Sequence, residues 1–150
     1  MMIRSIVCGA ALLAATMLTG CGTTVIGKWS ATKVPFVLGL TLDTTINFDD
    51  KNNLTIDLTA NNSSGALVVA KATGLYKTSD KNLELTLNTQ IVAKDGSGAT
   101  LPTQTADDGA QCITVASALV CFPSPQTAPY EILADKMNLT IKYKVGDAAE

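Results

Sequence analysis

Apolar and polar residues alternate along most of this chain, and this period of two restricts its fold more than any other feature of the sequence. The segment 40–48 sets Leu, Ile and Phe against Thr, Asp and Asn, and the segments 54–59, 83–88 and 139–145 repeat the pattern. Successive side chains of a strand point to opposite faces, so these segments predict half-buried antiparallel strands. No stretch after residue 22 has the spacing of an amphipathic helix. The sequence therefore predicts an all-β fold.

A polar motif marks the places where the chain reverses. Asp-Lys-Asn-Asn-Leu at 50–54 recurs with small changes at 80–83 and at 135–139. Asp and Asn favour turns because their side chains bond nearby backbone groups and tolerate positive φ. Each copy leads into a predicted strand that opens with leucine. The irregular spacing of the copies indicates a meander of hairpins rather than a solenoid.

The number of strands suits a closed sheet. We expect about eight strands, and a sequential antiparallel set of that size usually curls into an up-and-down β-barrel, which removes the exposed edges. The alternative is a sandwich of two sheets. Two segments interrupt the pattern: 93–111 is rich in Gly, Thr, Asp and Ala, and 123–129 contains three prolines. We expect a long loop at the first segment and no strand pairing at the second.

The start of the chain has the layout of a bacterial export signal. A basic start at Arg4 is followed by an apolar run over 6–18 and by Leu-Thr-Gly-Cys at 18–21. The run is shorter than the roughly 20 residues of a transmembrane helix. The ending resembles the lipobox of bacterial lipoproteins, which implies that Cys21 is lipidated and becomes the mature N-terminus. The alternative is an uncleaved apolar anchor.

This resemblance divides the chain into a signal peptide at 1–20, a short tether at 21–26 and a β-barrel domain at 27–146. Gly22 stands where aspartate would retain a lipoprotein in the inner membrane of enteric bacteria. We therefore expect an envelope protein on the periplasmic face of the outer membrane, attached to the membrane through its lipid. The tether of five residues after Cys21 spans at most about 17 Å.

The composition excludes several classes of function. Without residues 1–20 the chain has ten lysines, no arginine and thirteen acidic residues, so it offers no basic patch for nucleic acid. Histidine is absent, which removes the commonest metal ligand and the commonest general base at neutral pH. The adjacent aspartates at 49–50 and 107–108 fall in predicted turns. We expect no enzymatic activity, no metal and no other cofactor.

Two cysteines remain for a disulfide once Cys8 has left with the signal and Cys21 carries the lipid. An even pair in an exported protein favours a bond between Cys112 and Cys121. A hairpin with a two-residue turn at 116–117 would place them directly opposite each other, at a non-hydrogen-bonded pair where side chains approach closest. A four-residue loop with the same pairing and two free buried thiols are the alternatives.

Three short motifs resemble small bacterial lipocalin-like proteins. They are Gly-Lys-Trp at 27–29, Gly-Leu-Tyr-Lys at 74–77 followed by the alternating segment 83–87, and Tyr-Glu-Ile at 130–132 followed by 139–141. The arginine and the C-terminal helix of longer lipocalins are missing, so the similarity is to the shorter bacterial relatives. The resemblance implies that Trp29 closes the base of the barrel and that the connection after the first strand lies across its mouth.

Two groups of residues are candidates for ligand binding. The apolar segment 34–40 would place Phe36, Leu38 and Leu40 at the mouth, unless it folds inward to cap the core. If Tyr76 points inward, then so do the small residues that alternate with it along the same strand. That space would hold a small ligand, unless bulky neighbours fill it. The candidate wall residues are Ala70, Ala72, Gly74 and Tyr76.

These features predict a non-catalytic, lipid-anchored protein that binds a small apolar molecule inside a lipocalin-like barrel. The alternative is a barrel with a filled core. Such a barrel would act through the loops 34–40 and 93–111 on an envelope protein partner, as an inhibitor, an assembly factor or a structural protein.

Overall fold

The structure is a computed structural model that describes residues 4–8, 11–19, 24–88, 91–106, 109–133 and 136–147. Within these ranges it contains 13 strands and one 3-10 turn at Val37–Gly39, and no α-helix. The strands are β1 (Arg4–Cys8), β2 (Ala11–Thr19), β3 (Gly27–Pro35), β4 (Thr41–Phe48), β5 (Asn53–Asn62), β6 (Gly65–Ser79), β7 (Asn82–Leu87), β8 (Val92–Asp95), β9 (Thr103–Thr105), β10 (Gln111–Val115), β11 (Ala118–Phe122), β12 (Gln126–Leu133) and β13 (Lys136–Asp147).

All strands belong to one antiparallel sheet. Neighbours along the chain pair from β1 to β7, after which the order continues through β12, β13, β11, β10 and β9. β8 pairs with β6 beyond the end of β7, so that these two short strands share one edge of the long strand β6. The prediction of an all-β antiparallel fold is confirmed. The sheet has more strands than the predicted eight.

The segment 93–111 is one reason for the larger number of strands. We expected a loop there, but its first residues belong to β8, its middle forms β9, and β10 begins at its end. These short strands satisfy backbone groups that would otherwise lie unpaired on the edges of β6 and β10. Sequence composition alone does not reveal such partners.

The prediction that the proline-rich segment 123–129 does not pair is wrong for residues 126–129, while residues 123–125 lie outside the strands as expected. β12 begins at Gln126 and includes Pro129, and its residues 126–129 pair with β7. β12 pairs with β13 only from Tyr130 onward. At Pro129 the strand therefore has a sheet partner on one side alone, and a residue without an N–H is tolerated at such an edge position.

The polar turn motif forms turns at its first two copies, while the third copy lies partly outside the described residues. At the β4–β5 turn, Asp49 Oδ1 accepts hydrogen bonds from the backbone N–H groups of Lys51 and Asn53, at 2.9 and 2.8 Å. The side-chain amide of Asn53 also donates to Asp49, and these bonds together hold the pKa of that carboxyl below its usual value. Asn52 has a φ of 65°, as expected for a turn of this chemistry.

The apolar face of the strands surrounds two hydrophobic clusters. The base cluster lies near the start of β3 and contains Trp29, Phe48, Leu54, Tyr76 and Leu139, among others. The mouth cluster lies near the opposite ends of the same strands. It consists of Val37, Leu40, Ala60, Val68, Ala70, Ala72, Ile91, Ala93, Ile113, Val115, Val120 and Tyr143. Because β3, β4, β5, β6, β7, β12 and β13 all contribute to the base cluster, the sheet is strongly curved around it.

The predicted signal segment contributes the first two strands. β1 and β2 form a hairpin, and β2 pairs with β13 over nine residues, from Thr19 opposite Lys136 to Ala11 opposite Lys144. Among the described residues, its sheet pairing with β3 consists of one pair, Thr19 opposite Ser30. Removal of this segment and lipidation of Cys21, which lies outside the described residues, stay predictions.

Candidate ligand cavity in the curved sheet

The disulfide hairpin covers the mouth end of the curved sheet. Cys112 and Cys121 are bonded, and the register places them opposite each other with a two-residue turn at 116–117, so the prediction is confirmed. Their Cα atoms are 4.0 Å apart, which agrees with a non-hydrogen-bonded pair. On the opposite face of the hairpin, Ile113 and Val115 are buried in the mouth cluster. β11 attaches this hairpin to the end of β13.

A cavity of about 70 Å³ remains between the base cluster and the mouth cluster. Its wall takes side chains from both clusters and from most of the curved strands. The lining residues are Val34, Pro35, Phe36, Leu42, Thr44, Ile46, Ile56, Leu58, Ala72, Leu85, Leu87, Ile91, Phe122, Pro123, Gln126, Ile141 and Tyr143. None of these residues carries a charge at neutral pH, so the cavity suits an uncharged apolar molecule.

Two of the polar side chains at the cavity, Gln126 and Thr44, are already engaged within the protein. The Gln126 side chain accepts the backbone N–H of Lys142 at 2.9 Å and donates to the carbonyl oxygens of Pro123 and Lys142 at 3.1 and 3.3 Å. The Thr44 hydroxyl donates to the Asp57 carbonyl at 3.4 Å. A ligand that needed hydrogen bonds would have to compete with these contacts, which further favours an apolar ligand.

Aromatic rings close the mouth side of the cavity. The ring of Tyr143 lies between Phe36 and Phe122, with centroid separations of 5.4 and 5.9 Å. Burial in this apolar surrounding raises the pKa of Tyr143 to about 12. The tyrosine is therefore neutral at physiological pH and acts here as an apolar wall.

The segment 34–40 forms a compact turn over this aromatic group. The Phe36 N–H donates to the Leu40 carbonyl at 2.8 Å, and the Leu40 N–H donates to the Val37 carbonyl at 3.0 Å. Leu38 has a φ of 56°, a left-handed conformation that costs a non-glycine residue about 1–2 kcal/mol. Its side chain is 60% exposed. The turn thus stands as a small apolar lid whose tip projects into solvent.

The three predicted mouth residues occupy different surroundings. Phe36 lines the cavity, Leu38 lies at the exposed tip of the lid, and Leu40 is buried in the mouth cluster. The structure therefore brings one of the three to the cavity. Both readings of this segment apply in part, because its tip is exposed while its two ends fold inward.

The predicted wall faces inward along β6, as the alternation indicated. Ala70, Ala72 and Tyr76 are all buried, and Ala72 lines the cavity. The space beside Ala70 is mostly filled, because Ile113, Val115 and other bulky residues leave a void of only about 10 Å³ there. The space beside Ala72 therefore stays open, whereas the space beside Ala70 is filled by the β10–β11 hairpin, which is distant in the sequence.

Gly74 and Tyr76, the other two predicted wall residues, lie below the cavity and do not line it. A Cβ atom at Gly74 would lie 2.2 Å from the carbonyl oxygen of Thr86, so the glycine allows the backbone of β7 to approach closely. The Tyr76 hydroxyl donates to the Asp49 carbonyl oxygen, and its ring packs edge-on against Phe48 at 4.8 Å. Burial raises the pKa of Tyr76.

Trp29 lies at the opposite end of the interior from the lid. Its side chain is fully buried, and its indole N–H donates to the Val25 carbonyl at 2.8 Å. Val25 itself is buried in the base cluster, so the chain is fixed to the domain two residues before β3 begins. This position agrees with a residue that fills the base of the curved sheet.

A second concave region lies on the outer surface. It is an open polar groove of about 510 Å³ between the β6–β7 turn and β12, lined by Asp80, Lys81, Asn82, Pro129, Tyr130, Glu131, Ile132, Asn138 and Thr140. Most of these residues belong to the turn and hairpin motifs of the sequence, but those motifs do not indicate a shared site, because the residues combine only when β12 pairs with β7. Within the part of the chain that is described, no group of three or more His, Cys, Asp or Glu side chains could hold a metal ion.

Over the described ranges, the structure contains no helix with the length and hydropathy of a transmembrane segment.

Comparisons with known proteins do not assign the chain to a family. No family model matches the chain, and no curated protein and no solved structure is significantly similar to it.

Proposed function

We propose that this chain is a non-catalytic, lipid-anchored protein of the bacterial cell envelope that binds a small apolar molecule inside its curved sheet. The observation that carries this proposal is the uncharged cavity beside Phe36, where the side chains of Gln126 and Thr44 are already hydrogen-bonded within the protein. The Leu-Thr-Gly-Cys ending at 18–21 supports the anchor at Cys21.

The wall of the binding site is an incomplete barrel of seven strands: β3, β4, β5, β6, β7, β12 and β13. This architecture is supported by the shared base cluster, to which every one of these strands contributes a side chain. The base cluster and Trp29 fill one end, while the disulfide hairpin and the 34–40 lid cover the other.

The anchor would set the orientation of the domain on the membrane. Val25 packs in the base cluster, so only residues 22–24 separate the lipidated Cys21 from the folded domain. Three residues span about 10 Å at most. The base end would therefore face the bilayer, and the lid would face the periplasm.

The size of the cavity restricts the ligand. A cavity of about 150 Å³ binds benzene in another protein, and sites for drug-sized ligands measure about 300–1,000 Å³. At about 70 Å³, the cavity has about half the volume of that benzene-binding cavity, so benzene is near the upper size limit and would enter only with a small shift of the lining side chains. A longer apolar chain would enter only if Phe36 and the lid moved outward.

The test is ligand uptake by the purified, processed protein. Benzene and a fluorescent fatty acid serve as the small and the large probe, and methyl NMR shifts of the lining residues report on binding. Ala72→Phe would fill the cavity and should lower benzene affinity at least tenfold. Leu75→Phe, on the exposed face of the same strand, is the matched control and should bind normally.

Unchanged benzene binding by Ala72→Phe would refute the interior site. If that variant fails to fold, Ala72→Val adds less volume and should give a smaller loss in the same direction. Mass spectrometry of the N-terminus tests the anchor separately. An unmodified Cys21, or a chain that still begins at Met1, would refute the lipoprotein assignment without affecting the cavity.

A second candidate function is contact with an envelope protein through the outer surface. The polar groove at Asp80, Lys81 and Glu131 favours it, because this groove is larger than the interior cavity. Cross-linking in whole cells from a photoreactive residue at Lys81, compared with one at Lys71 on the outer face of β6, would identify such a partner. Absence of a groove-specific product would exclude it.

A further inference from the structure

The strand β2 occupies a gap that the rest of the sheet leaves open. Each of the six neighbouring pairs from β3 to β13, taken through β4, β5, β6, β7 and β12, is antiparallel. β3 and β13 therefore run in the same direction. β2 is antiparallel to both and lies between them; within the described ranges it has nine residue pairs to β13 and one to β3.

Removal of residues 1–20 would expose one edge of β13. On its other edge, the backbone N–H and C=O of Lys142 bond to the Gln126 side chain. Backbone groups of successive residues in a strand point to opposite sides. The groups of Ile141 and Tyr143 therefore point toward β2 and would lose their sheet partner when β2 leaves.

The charges on the two strands that flank the gap are one-sided. β3 and β13 carry five of the ten lysines and a single acidic residue, Asp147. The lysines are Lys28, Lys33, Lys136, Lys142 and Lys144, and all five are exposed. A second copy of β13 paired antiparallel around Thr140 would set Lys136 against Lys144, and like charges in opposite positions are destabilising.

The register of β2 indicates which residues a partner strand would need in order to complement the lysines of β13. Leu13 stands opposite Lys142, Ala11 opposite Lys144, and Thr19 opposite Lys136. None of these residues complements a lysine. Acidic residues at the same positions would do so, while apolar residues at the alternate positions would meet the buried face of β13.

We propose that the processed protein binds an extended strand of an envelope protein in the gap between β3 and β13, and that this strand alternates apolar with acidic residues. This inference rests on the removal of residues 1–20 in the proposed function. Main-chain hydrogen bonds to Ile141 and Tyr143 give affinity, and the exposed lysines select the acidic face of the partner.

The experiment uses the processed protein purified from membranes after expression of the full chain. Two nine-residue peptides keep the β2 residues that lie opposite the buried residues of β13. They differ at the three positions opposite Lys136, Lys142 and Lys144, where one peptide has Glu and the other has Lys. We expect the Glu peptide to slow amide exchange at Ile141 and Tyr143 and to bind at least about fivefold more tightly than the Lys peptide. The substitution Lys142→Glu should reduce the difference in affinity between the two peptides.

Several outcomes would overturn the proposal. Equal binding of the two peptides, or no binding of either, would do so. Slow amide exchange at Ile141 and Tyr143 before any peptide is added would also do so, because it would mean that β3 or a second copy of the protein closes the gap. A purified chain that still begins at Met1 would remove the premise. Benzene binding in the same preparation keeps failure of this proposal distinct from failure of the cavity.

Discussion

The disulfide between Cys112 and Cys121 should stabilise the domain and hold its mouth closed. The perturbation is the double variant Cys112→Ala/Cys121→Ala, which leaves Cys21 for the lipid. The bond joins neighbouring strands of a hairpin whose other face packs Ile113 and Val115 into the mouth cluster. Its loss therefore increases the conformational entropy of the unfolded chain and removes a constraint on the hairpin that covers the mouth end.

The magnitude follows from the length of the loop that the bond closes. For a sequence separation of 9, the chain-entropy relation gives about 2.6 kcal/mol at 25 °C. Loss of the buried sulfur of Cys112 adds at most about 1 kcal/mol. For a domain of this size we expect the midpoint of thermal unfolding to fall by about 10 °C.

Urea unfolding followed by tryptophan fluorescence measures this loss, since Trp29 is buried in the base cluster. Reducing the native protein should reproduce the lower stability, and the reductant should have no effect on the double variant. The variant should also take up the fatty-acid probe faster, because the hairpin over the mouth is less constrained. A loss below about 1 kcal/mol, or unchanged uptake, would show that the reasoning is wrong.

Two further predictions concern the wall and the mouth. Gly74→Ala should lower the free energy of unfolding by about 2–3 kcal/mol, because its methyl group would meet the Thr86 carbonyl oxygen at 2.2 Å. Gly146→Ala, which has open space around the added atom, should stay within about 0.5 kcal/mol, and equal effects in urea unfolding would contradict this explanation. Tyr143 ionises near pH 10 in the unfolded chain but near 12 in the native protein, so stability should be unaffected below pH 10 and should fall between pH 10 and 12. Tyr143→Phe should abolish that part of the alkaline loss, and an identical pH profile of the two proteins would count against burial as its cause.

The sequence predicted features that depend on residues close together in the chain. Alternation over a few residues decides which side chains share a face of a strand, so the inward row along β6, from Val68 to Tyr76, was readable before any tertiary contact was known. The pairing of Cys112 with Cys121 was readable for the same reason, because a two-residue turn fixes the register of a hairpin.

The tertiary structure decided how much space that inward row leaves. Ala70 and Ala72 are equally small, but Ile113 and Val115 fill the space beside Ala70, while the cavity persists beside Ala72. The pairing of Pro129 with Asn82 is also invisible in the local sequence. Packing of this kind depends on the curvature of the sheet and on contacts across more than forty residues of chain, which no local periodicity encodes.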